Sequence, residues 1–436
     1  MSKRSPITWV PTLYFAEGLP FFVVAAIVSY LFKDMGIAND RITFWVNALG
    51  WAWVWKPLWS PFIEAVPSKK RVVVACQYFG AATLTLVALS LQLPAAFGIA
   101  LGVLALTAFG SATHDIAADG LYIASLSEKQ QAEYAGWQGA FYNAARLFAR
   151  GGMLSLVGLL QHWSSTLQAW ALIFFGMAGV LALTATYHLR ALPDTHSANS
   201  PHDDVRQIVH TLGDVIIDFF RKPGIWFAIL FIILFRAGEG QVQSVGPLFL
   251  RDTRAAGGLG LSIDQIGVAY GTAATVAFVV GSIAGGYFTA WLGLHRAMAV
   301  LVLVMNLPNL VYWWLSMTHP TSLGVIAGAL SLEMFGYGFG FVGVILFIMQ
   351  VVAVGRFTTA HYALGTGVMQ LGFILSGTFS GAVQLKIGYE RFFLWTVICA
   401  APVFVLSFFL PRRPGDAEPT ADQVAEKRRG AKNLEE

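Results

Sequence analysis

The feature that most constrains this chain is a succession of apolar stretches, each about as long as the roughly 20 residues that an α-helix needs to cross a bilayer. Only 12% of the 436 residues are charged, against roughly 25% in an ordinary soluble domain. The sequence therefore predicts an all-α polytopic membrane protein. Apolar windows bounded by polar or turn-forming residues predict twelve transmembrane spans, at about 8–32, 42–63, 72–92, 95–123, 135–160, 167–189, 224–250, 263–291, 297–317, 322–353, 362–385 and 391–411.

Several functional classes are disfavoured by what the sequence lacks. The net charge of +4 does not indicate a nucleic-acid partner, because no continuous soluble basic face is long enough to form one. Cys76 and Cys399 both lie in apolar stretches and indicate no disulfide framework. We find no Gly-Lys-Ser/Thr phosphate loop, no His-x-x-x-His and no Cys/His cluster, so we expect no cofactor and no metal. Any energy that the protein uses would then come from an ion gradient or from the gradient of a solute.

The distribution of basic residues predicts the orientation in the membrane. One side carries both termini and the central loop with 18 Lys and Arg residues, whereas the opposite side carries six. Under the positive-inside rule, the termini and the central loop are cytoplasmic. The predicted division is an N-terminal six-helix half (1–190), a cytoplasmic linker (191–223), a C-terminal six-helix half (224–411) and a cytoplasmic tail (412–436).

Two short matches suggest that the halves are duplicates. Leu-Tyr-Phe-Ala-Glu-Gly at residues 13–18 is matched by Leu-Phe-Arg-Ala-Gly-Glu-Gly at 234–240. Gly-Ile-Ala-Asn-Asp-Arg-Ile at 36–42 is matched by Gly-Leu-Ser-Ile-Asp-Gln-Ile at 260–266. Their order favours duplication over coincidence among apolar helices, and predicts two pseudo-symmetric halves.

The second match also predicts two helix caps. Asp40 and Asp264 fall where spans 2 and 8 should begin, at positions suited to N-cap residues.

Five acidic residues lie inside predicted spans, where an isolated charge is costly and an ionisable group indicates function. They occupy spans 1, 4, 7 and 10 only, and we predict that they take part in proton coupling: Glu17, Asp115, Asp119, Glu239 and Glu333.

Asp115 and Asp119 are spaced i, i+4, so both carboxylates project from one face of span 4. Two adjacent carboxylates in a low-dielectric setting favour retention of a proton, as a proton-coupled carrier requires. Alternatively, one Asp caps a helix or pairs with a basic residue and only joins two helices. For His114, which precedes Asp115, the alternatives are packing, orientation of Asp115 and proton relay.

Four cations also lie inside spans, and arginine binds carboxylate or phosphate with two parallel hydrogen bonds. Arg146 and Arg150 are spaced i, i+4, and Arg236 can pair with Glu239. The set suggests an anionic group on the solute, and the alternative is internal pairing with buried acids. The Trp series 51, 55 and 59 favours helix packing over stacking on a sugar. The candidate substrate-binding residues are Lys56, Arg146, Arg236, Tyr142, Asn143, Gln138, Gln241, Tyr337 and Trp55.

Three motifs carry a family resemblance. They are Gly-Leu-Pro at 18–20, Lys-Pro-Leu-Trp-Ser-Pro-Phe-Ile-Glu at 56–64 and Ser-Ala-Thr-His-Asp-Ile-Ala-Ala-Asp-Gly at 111–120, followed by Arg-Leu at 146–147. This set resembles the AmpG-type muropeptide permeases and their acetyl-CoA and siderophore transporter relatives. Twelve spans in two halves likewise resemble the major facilitator superfamily, in which the first, fourth, seventh and tenth helices line a central cavity.

The resemblance implies a monomeric, proton-coupled symporter in the bacterial inner membrane, with a small molecule, protons and lipid as partners. Glu64 and His114 depart from the family pattern, which has Asp and Gln there. The residues whose roles it carries over are Lys56, Asp115, Asp119 and Arg146.

We therefore expect a proton-coupled importer of a polar solute with an anionic group, most simply an amino-sugar peptide of the muropeptide type. The same-class alternative is a siderophore, an oligosaccharide or a coenzyme-A ester. Two other classes remain open: a membrane-embedded transferase or hydrolase using His114 and Asp115, and a transporter-like sensor that signals through residues 411–436.

Overall fold

The computed structural model describes residues 5–64, 66–194, 205–355 and 357–410. These residues form helices joined by short turns, without strands. In chain order the helices that coincide with predicted spans are α1 (Pro6–Asp34), α2 (Asn39–Leu49 and Trp51–Glu64), α3 (Lys69–Ser90), α4 (Ala96–Ser125), α5 (Glu128–Arg146, Leu147–Met153 and Leu154–Gln161), α6 (Thr166–Ala191), α7 (Ile225–Arg251), α8 (Ile263–Leu292), α9 (Leu294–Thr318), α10 (Leu323–Val352), α11 (Thr358–Thr378 and 380–387) and α12 (389–409).

The boundary between α11 and α12 lies at Gly388. Its φ of 79° lies outside the helical region and ends the regular geometry, and glycine adopts this conformation without a steric penalty. Nine helices of the described ranges are long and apolar enough to cross a membrane, one of them the run Ser380–Phe409 that contains α12. The all-α membrane fold is confirmed, and the count of twelve crossings stays a prediction.

The linker contains an additional helix, Val205–Arg221, that the sequence analysis left as a polar loop. Lys222, directly after it, donates to the backbone oxygens of Val352 and Val354 at the end of α10. The linker therefore docks against the C-terminal half. Residues 195–204 of the linker and 411–436 of the tail lie outside the described residues.

The predicted caps at Asp40 and Asp264 are wrong. The N-cap of α2 is Ala38 and that of α8 is Ser262. Both Asp residues instead lie in the first helical turn, where a carboxylate interacts favourably with the helix dipole.

The repeated Glu-Gly pairs occupy comparable places in the two halves. A Cβ on Gly18 of α1 would lie 3.0 Å from the Ala145 Cβ of α5, and a Cβ on Gly240 of α7 would lie 2.3 Å from the Ser376 Oγ of α11. Each glycine thus allows the first helix of its half to approach the fifth. These contacts agree with the pseudo-symmetry that the matches predict.

Two π-helical segments form a close contact between the halves. They are Leu147–Met153 in α5 and Gly267–Ala273 in α8. A Cβ on Gly271 would lie 2.0 Å from the Arg150 backbone oxygen, so only glycine fits there. This contact fixes the backbone next to Arg150.

The halves also meet through a polar cluster at the face where α1 and α7 end, which we call the closed face. The Asp34 carboxylate is only 2% exposed and lies 2.8 Å from the Arg251 Nε of the other half. Trp170 Nε1 also donates to Asp34, at 3.0 Å. Nearby, Lys33 lies 2.5 Å from Asp252. Breaking a buried ion pair by removing one partner is costly, so this cluster favours the conformation that is closed here.

We predict that Asp34→Asn shifts the protein toward a state that is open at this face. Losing about 1.4 kcal/mol of closure energy would raise the open population about tenfold. The measurement is the rate at which a membrane-impermeant maleimide, added from this face, labels Ser29→Cys in a background with Cys76→Ala and Cys399→Ala.

The matched control is Arg41→Gln, which removes a charge that contacts Phe97 within the N-terminal half. This variant should label at the parent rate. Equal labelling of Asp34→Asn and the parent would show that the cluster does not hold the halves together.

Candidate functional site

An acid cluster lies inside the N-terminal half, where the i, i+4 spacing on α4 brings two carboxylates to one face. Tyr14 of α1 donates from its hydroxyl to Asp119 Oδ1 at 3.1 Å. Glu17, one turn farther along α1, is 8% exposed, and its Oε2 has no hydrogen-bond partner among the described residues. Together with Asp115, these acids form a group of three carboxyls, which we call the acid cluster.

Two residues of α2 contact the acid cluster. Trp53 Nε1 donates to Asp115 Oδ2 at 3.1 Å, and the Lys56 ammonium lies 3.5 Å from the same oxygen. The structure therefore supports the alternative that one Asp pairs with a basic residue. Sequence reasoning included Lys56 but missed Tyr14 and Trp53, because hydropathy does not show which side of a helix faces its neighbour.

Trp55, which the sequence analysis named as a substrate-binding candidate, lies away from the acid cluster. Trp55 is 55% exposed and packs against Trp51, with ring centroids 5.5 Å apart. Trp53, two residues earlier, reaches Asp115 instead. The two side chains project from different sides of α2, and only one side faces α4.

Arg146 and Arg150 of α5 are both buried, and neither has a carboxylate within 4.0 Å among the described residues. The Arg146 guanidinium carbon lies 4.2 Å from the centroid of the Phe278 ring, and that of Arg150 lies 4.5 Å from the Tyr270 ring. Aromatic faces attract cations without neutralising them. The internal ion pairs with Asp115, Asp119 or Glu333 that the sequence left open are not formed here.

The C-terminal half contains its own buried charges. Arg236 and Glu239 of α7 form the predicted i, i+3 ion pair, with Nη1 and Oε2 2.5 Å apart. Arg236 also donates to the Tyr337 hydroxyl at 3.4 Å. Glu333 of α10 is buried, and neither carboxylate oxygen has a hydrogen-bond partner among the described residues. Arg236 is thus neutralised within its own helix, whereas Glu333 is not.

Three of the remaining substrate-binding candidates contact their own helix or a neighbouring helix. Asn143 Nδ2 donates to the Gly139 oxygen of its own helix, and Gln241 links the Ala237 oxygen to Trp395. Tyr142 packs against the Phe22 ring at 5.2 Å. Gln138 is half-exposed on α5.

A small cavity lies between α1, α2, α7 and α11. Its polar lining comes from both halves and includes Ser29, Asn47, Trp53, Gln243, Ser244 and Gln370. Asn47 of α2 donates to the Ser244 hydroxyl of α7 at 3.0 Å across it. Because Trp53 both lines this cavity and donates to Asp115, it connects the cavity with the acid cluster.

One group of residues has the composition of a metal site. A ring nitrogen of His114 and one carboxylate oxygen each from Glu17 and Asp115 lie within 4.8 Å of one another. The sequence motifs did not reveal it because the residues come from two helices. The Lys56 ammonium lies against the same Asp115 carboxylate and would repel a cation. The residues therefore fit a proton better than a metal ion.

Comparisons with known proteins find one family pattern and several similar transporters. The sequence pattern of the Major Facilitator Superfamily matches residues 12–367. The anhydromuropeptide permease of Escherichia coli strain K12 is 26% identical over 403 residues, covering 90% of this chain and 77% of the relative. Putative transporter AmpG 4 of Rickettsia felis is 22% identical over 406 residues, covering 91% and 94%.

A solved structure shows the same fold. The crystal structure of a D-xylose-proton symporter superposes with a TM-score of 0.71 at 11% identity, covering 94% of this chain and 99% of that one. At this identity the similarity is one of fold.

We predict a measurable coupling between Lys56 and Asp115. A double-mutant cycle of Lys56→Met and Asp115→Asn, followed by denaturant unfolding in detergent, should give a coupling free energy of about 1 kcal/mol. The pair is only partly exposed, so solvent screens it less than a surface pair.

The control cycle is Lys129→Met with Glu133→Gln, an exposed i, i+4 pair 3.9 Å apart. Its coupling should be near zero, as for most surface pairs. Equal coupling in both cycles would contradict a special interaction at Asp115.

Proposed function

The chain belongs to the Major Facilitator Superfamily, and we propose that it is a proton-coupled importer of a muropeptide-like solute. The family and the relatives are transporters, so the chain is a multi-pass membrane transporter rather than an enzyme. The proposal adds the solute, the coupling ion, the direction of transport and the bacterial inner membrane. We also propose that the protein is a monomer and that both termini are cytoplasmic. The distribution of basic residues predicts this position of the termini.

The observation that carries the solute class is the pair of buried guanidinium groups on α5. Arg146 and Arg150 have no carboxylate partner among the described residues. A buried cation without an anionic partner is costly, and a carboxylate of the solute would form charge-assisted hydrogen bonds with it. The aromatic rings of Phe278 and Tyr270 lie against these guanidinium groups, and they would present apolar surface to a sugar ring in a conformation that exposes them.

A muropeptide meets both requirements, because it combines amino sugars with a peptide that carries free carboxylates. The similarity to the anhydromuropeptide permease of Escherichia coli supports this class. A siderophore, an oligosaccharide or a coenzyme-A ester is the alternative. Of these, a neutral oligosaccharide would leave the arginines unpaired.

The acid cluster supports proton coupling. The acid cluster holds three carboxyls, and the only ammonium in ion-pair contact with it among the described residues is that of Lys56, 3.5 Å from Asp115. Like charges in a low-dielectric interior cannot all be ionised at low cost. The cluster is therefore suited to take up and release a proton. Glu239 and Glu333 are further buried acids in the C-terminal half, and Glu239 is paired with Arg236.

In this mechanism the two halves move around the central residues and expose them to one face at a time. Solute binding at Arg146 and Arg150 would neutralise the α5 cations. Protonation of the acid cluster would reduce the negative charge beside Lys56. We propose that the halves change conformation readily only when both charges have been neutralised, which would couple the two fluxes.

We predict that Asp119→Asn abolishes accumulation of anhydromuropeptide driven by a proton gradient in proteoliposomes. An amide cannot exchange the proton, whereas it can still accept a hydrogen bond from Tyr14. Exchange of labelled for unlabelled solute without a gradient should persist. The Glu133→Gln variant removes an exposed carboxyl from α5 and should accumulate solute normally. Normal gradient-driven accumulation by Asp119→Asn would remove Asp119 from the coupling mechanism.

We also predict that Arg146→Gln raises the KM for anhydromuropeptide roughly tenfold or more, since a charge-assisted hydrogen bond contributes about 1.5–3 kcal/mol. In the wild type, amidation of the muropeptide carboxylates should raise the KM. In Arg146→Gln, the KM should be the same for the amidated and the unmodified muropeptide. Initial uptake rates over a concentration series measure the KM for each of the two solutes. An Arg41→Gln control should leave the KM unchanged. An equal loss for both solutes would show that Arg146 does not bind the anionic group.

A further inference from the structure

A buried hydrogen-bonded chain links the acid cluster to the opposite side of the N-terminal half. His114 Nε2 of α4 lies 3.0 Å from Gln77 Nε2 of α3, and Gln77 Oε1 lies 2.9 Å from His188 Nδ1 of α6. His188 Nε2 in turn lies 2.9 Å from the Thr12 hydroxyl of α1. His114, Gln77 and His188 are all at most 3% exposed. Four helices thus share one chain of contacts, which we call the histidine chain.

The amide at the centre of the histidine chain determines where both histidines carry their protons. An amide NH2 only donates and an amide oxygen only accepts. With Gln77 Nε2 facing His114, the His114 Nε2 must accept, and its proton lies on Nδ1. Gln77 Oε1 then accepts from His188 Nδ1. The His188 Nε2 accepts in turn from the Thr12 hydroxyl.

The reverse arrangement satisfies the same contacts. When the Gln77 amide turns over, His114 donates from Nε2 to the amide oxygen, and the NH2 donates to His188 Nδ1. His188 then donates from Nε2 to the Thr12 hydroxyl, which donates to the Trp9 backbone oxygen 3.2 Å away. Both arrangements hold the same number of protons. The histidine chain therefore has two states, and a mixed state would place two donors or two acceptors face to face.

The two states present different groups to the acid cluster. A ring nitrogen of His114 lies within 4.8 Å of carboxylate oxygens of Glu17 and Asp115. Nδ1 has no hydrogen-bond partner among the described residues and is the nitrogen left for them. In the first state Nδ1 carries a proton and suits an ionised carboxylate. In the second state it accepts and suits a protonated carboxyl.

Other ionisable groups around His114 and the acid cluster lie on six helices of the N-terminal half. They are Tyr14 and Glu17 on α1, Lys56 on α2, Cys76 on α3, Asp115 and Asp119 on α4 itself, Tyr142 on α5 and His188 on α6.

Building on the proposed proton coupling, we propose that Gln77 and His188 are positioning residues that switch His114 between a donor and an acceptor as the acid cluster changes protonation. The switch extends to Thr12 near the start of α1 and to His188 near the end of α6. A change in the protonation of the acid cluster would therefore change hydrogen bonds at the face opposite the closed face. There the Tyr187 hydroxyl donates to the Thr8 backbone oxygen and joins the same two helices.

The direct test is 15N NMR of purified full-length protein in lipid nanodiscs, with 15N-labelled histidine, over a pH series. His114→Asn and His188→Asn identify the two sets of ring signals among the nine histidines. We expect both histidines to carry the proton on Nδ1 at high pH and both to move it to Nε2 together on acidification. In Gln77→Leu the two should no longer change at the same pH.

Two results would overturn the proposal. One is that either histidine changes its protonated nitrogen without the other in the wild-type protein. The other is that the joint change persists in Gln77→Leu. Neither result depends on the solute, so an error in the proposed function is distinguishable from an error here.

A transport readout separates positioning from simple packing. Gln77→Leu should shift the pH profile of anhydromuropeptide uptake, whereas the solute affinity measured by exchange should stay the same. Thr83→Val is the matched control on α3, because the Thr83 hydroxyl is buried and bonds to the Gly80 oxygen of its own helix. An equal shift in Thr83→Val, or an unshifted profile in Gln77→Leu, would contradict a positioning role.

Discussion

The rest of the structure depends on how it accommodates charge inside an apolar interior. An ionised group transferred from water to hydrocarbon without a partner is unstable by many kcal/mol, and in proteins such groups pair, neutralise or contact water. The chain uses different solutions in its two halves. In the N-terminal half, Lys56 lies against Asp115 within a group of acids. In the C-terminal half, Arg236 and Glu239 neutralise each other on one helix. The two α5 arginines at the contact between the halves lie against aromatic rings and have no carboxylate partner among the described residues.

This uneven neutralisation relates the fold to transport. Groups that are already paired stabilise each half as a rigid body, whereas unpaired groups respond to a ligand. In the proposed mechanism the surplus carboxyls respond to protons, and the α5 arginines respond to an anion. The close approach at Gly271 places Arg150 beside the C-terminal half, so a charge bound there affects the contact between halves. The ion pairs Lys33–Asp252 and Arg251–Asp34 stabilise the closed face, and in the proposed mechanism the bound solute helps to break them.

Much of this arrangement could be predicted from the sequence, because hydropathy finds both the membrane helices and the charged residues inside them. The Arg236–Glu239 pair could be predicted because i, i+3 neighbours share a helix face. The sequence could not show that Trp53 reaches the acids whereas Trp55 does not, since this depends on the rotation of α2 within the bundle. The sequence analysis named Lys56 as a substrate-binding candidate. Its position beside Asp115 depends on the same rotation of α2. Gln77 and His188 gave no signal, because a single buried polar residue resembles any other until its partners on distant helices are known.

The central claim is that solute and proton share one mechanism through these charges. The most direct measurement is internal pH in proteoliposomes that start without any proton gradient, after anhydromuropeptide is added outside. Solute entering down its own gradient should carry protons with it and acidify the interior, at a constant ratio of protons to solute. Solute entry without any change in internal pH would contradict coupling, and the buried acids would then have only a structural role.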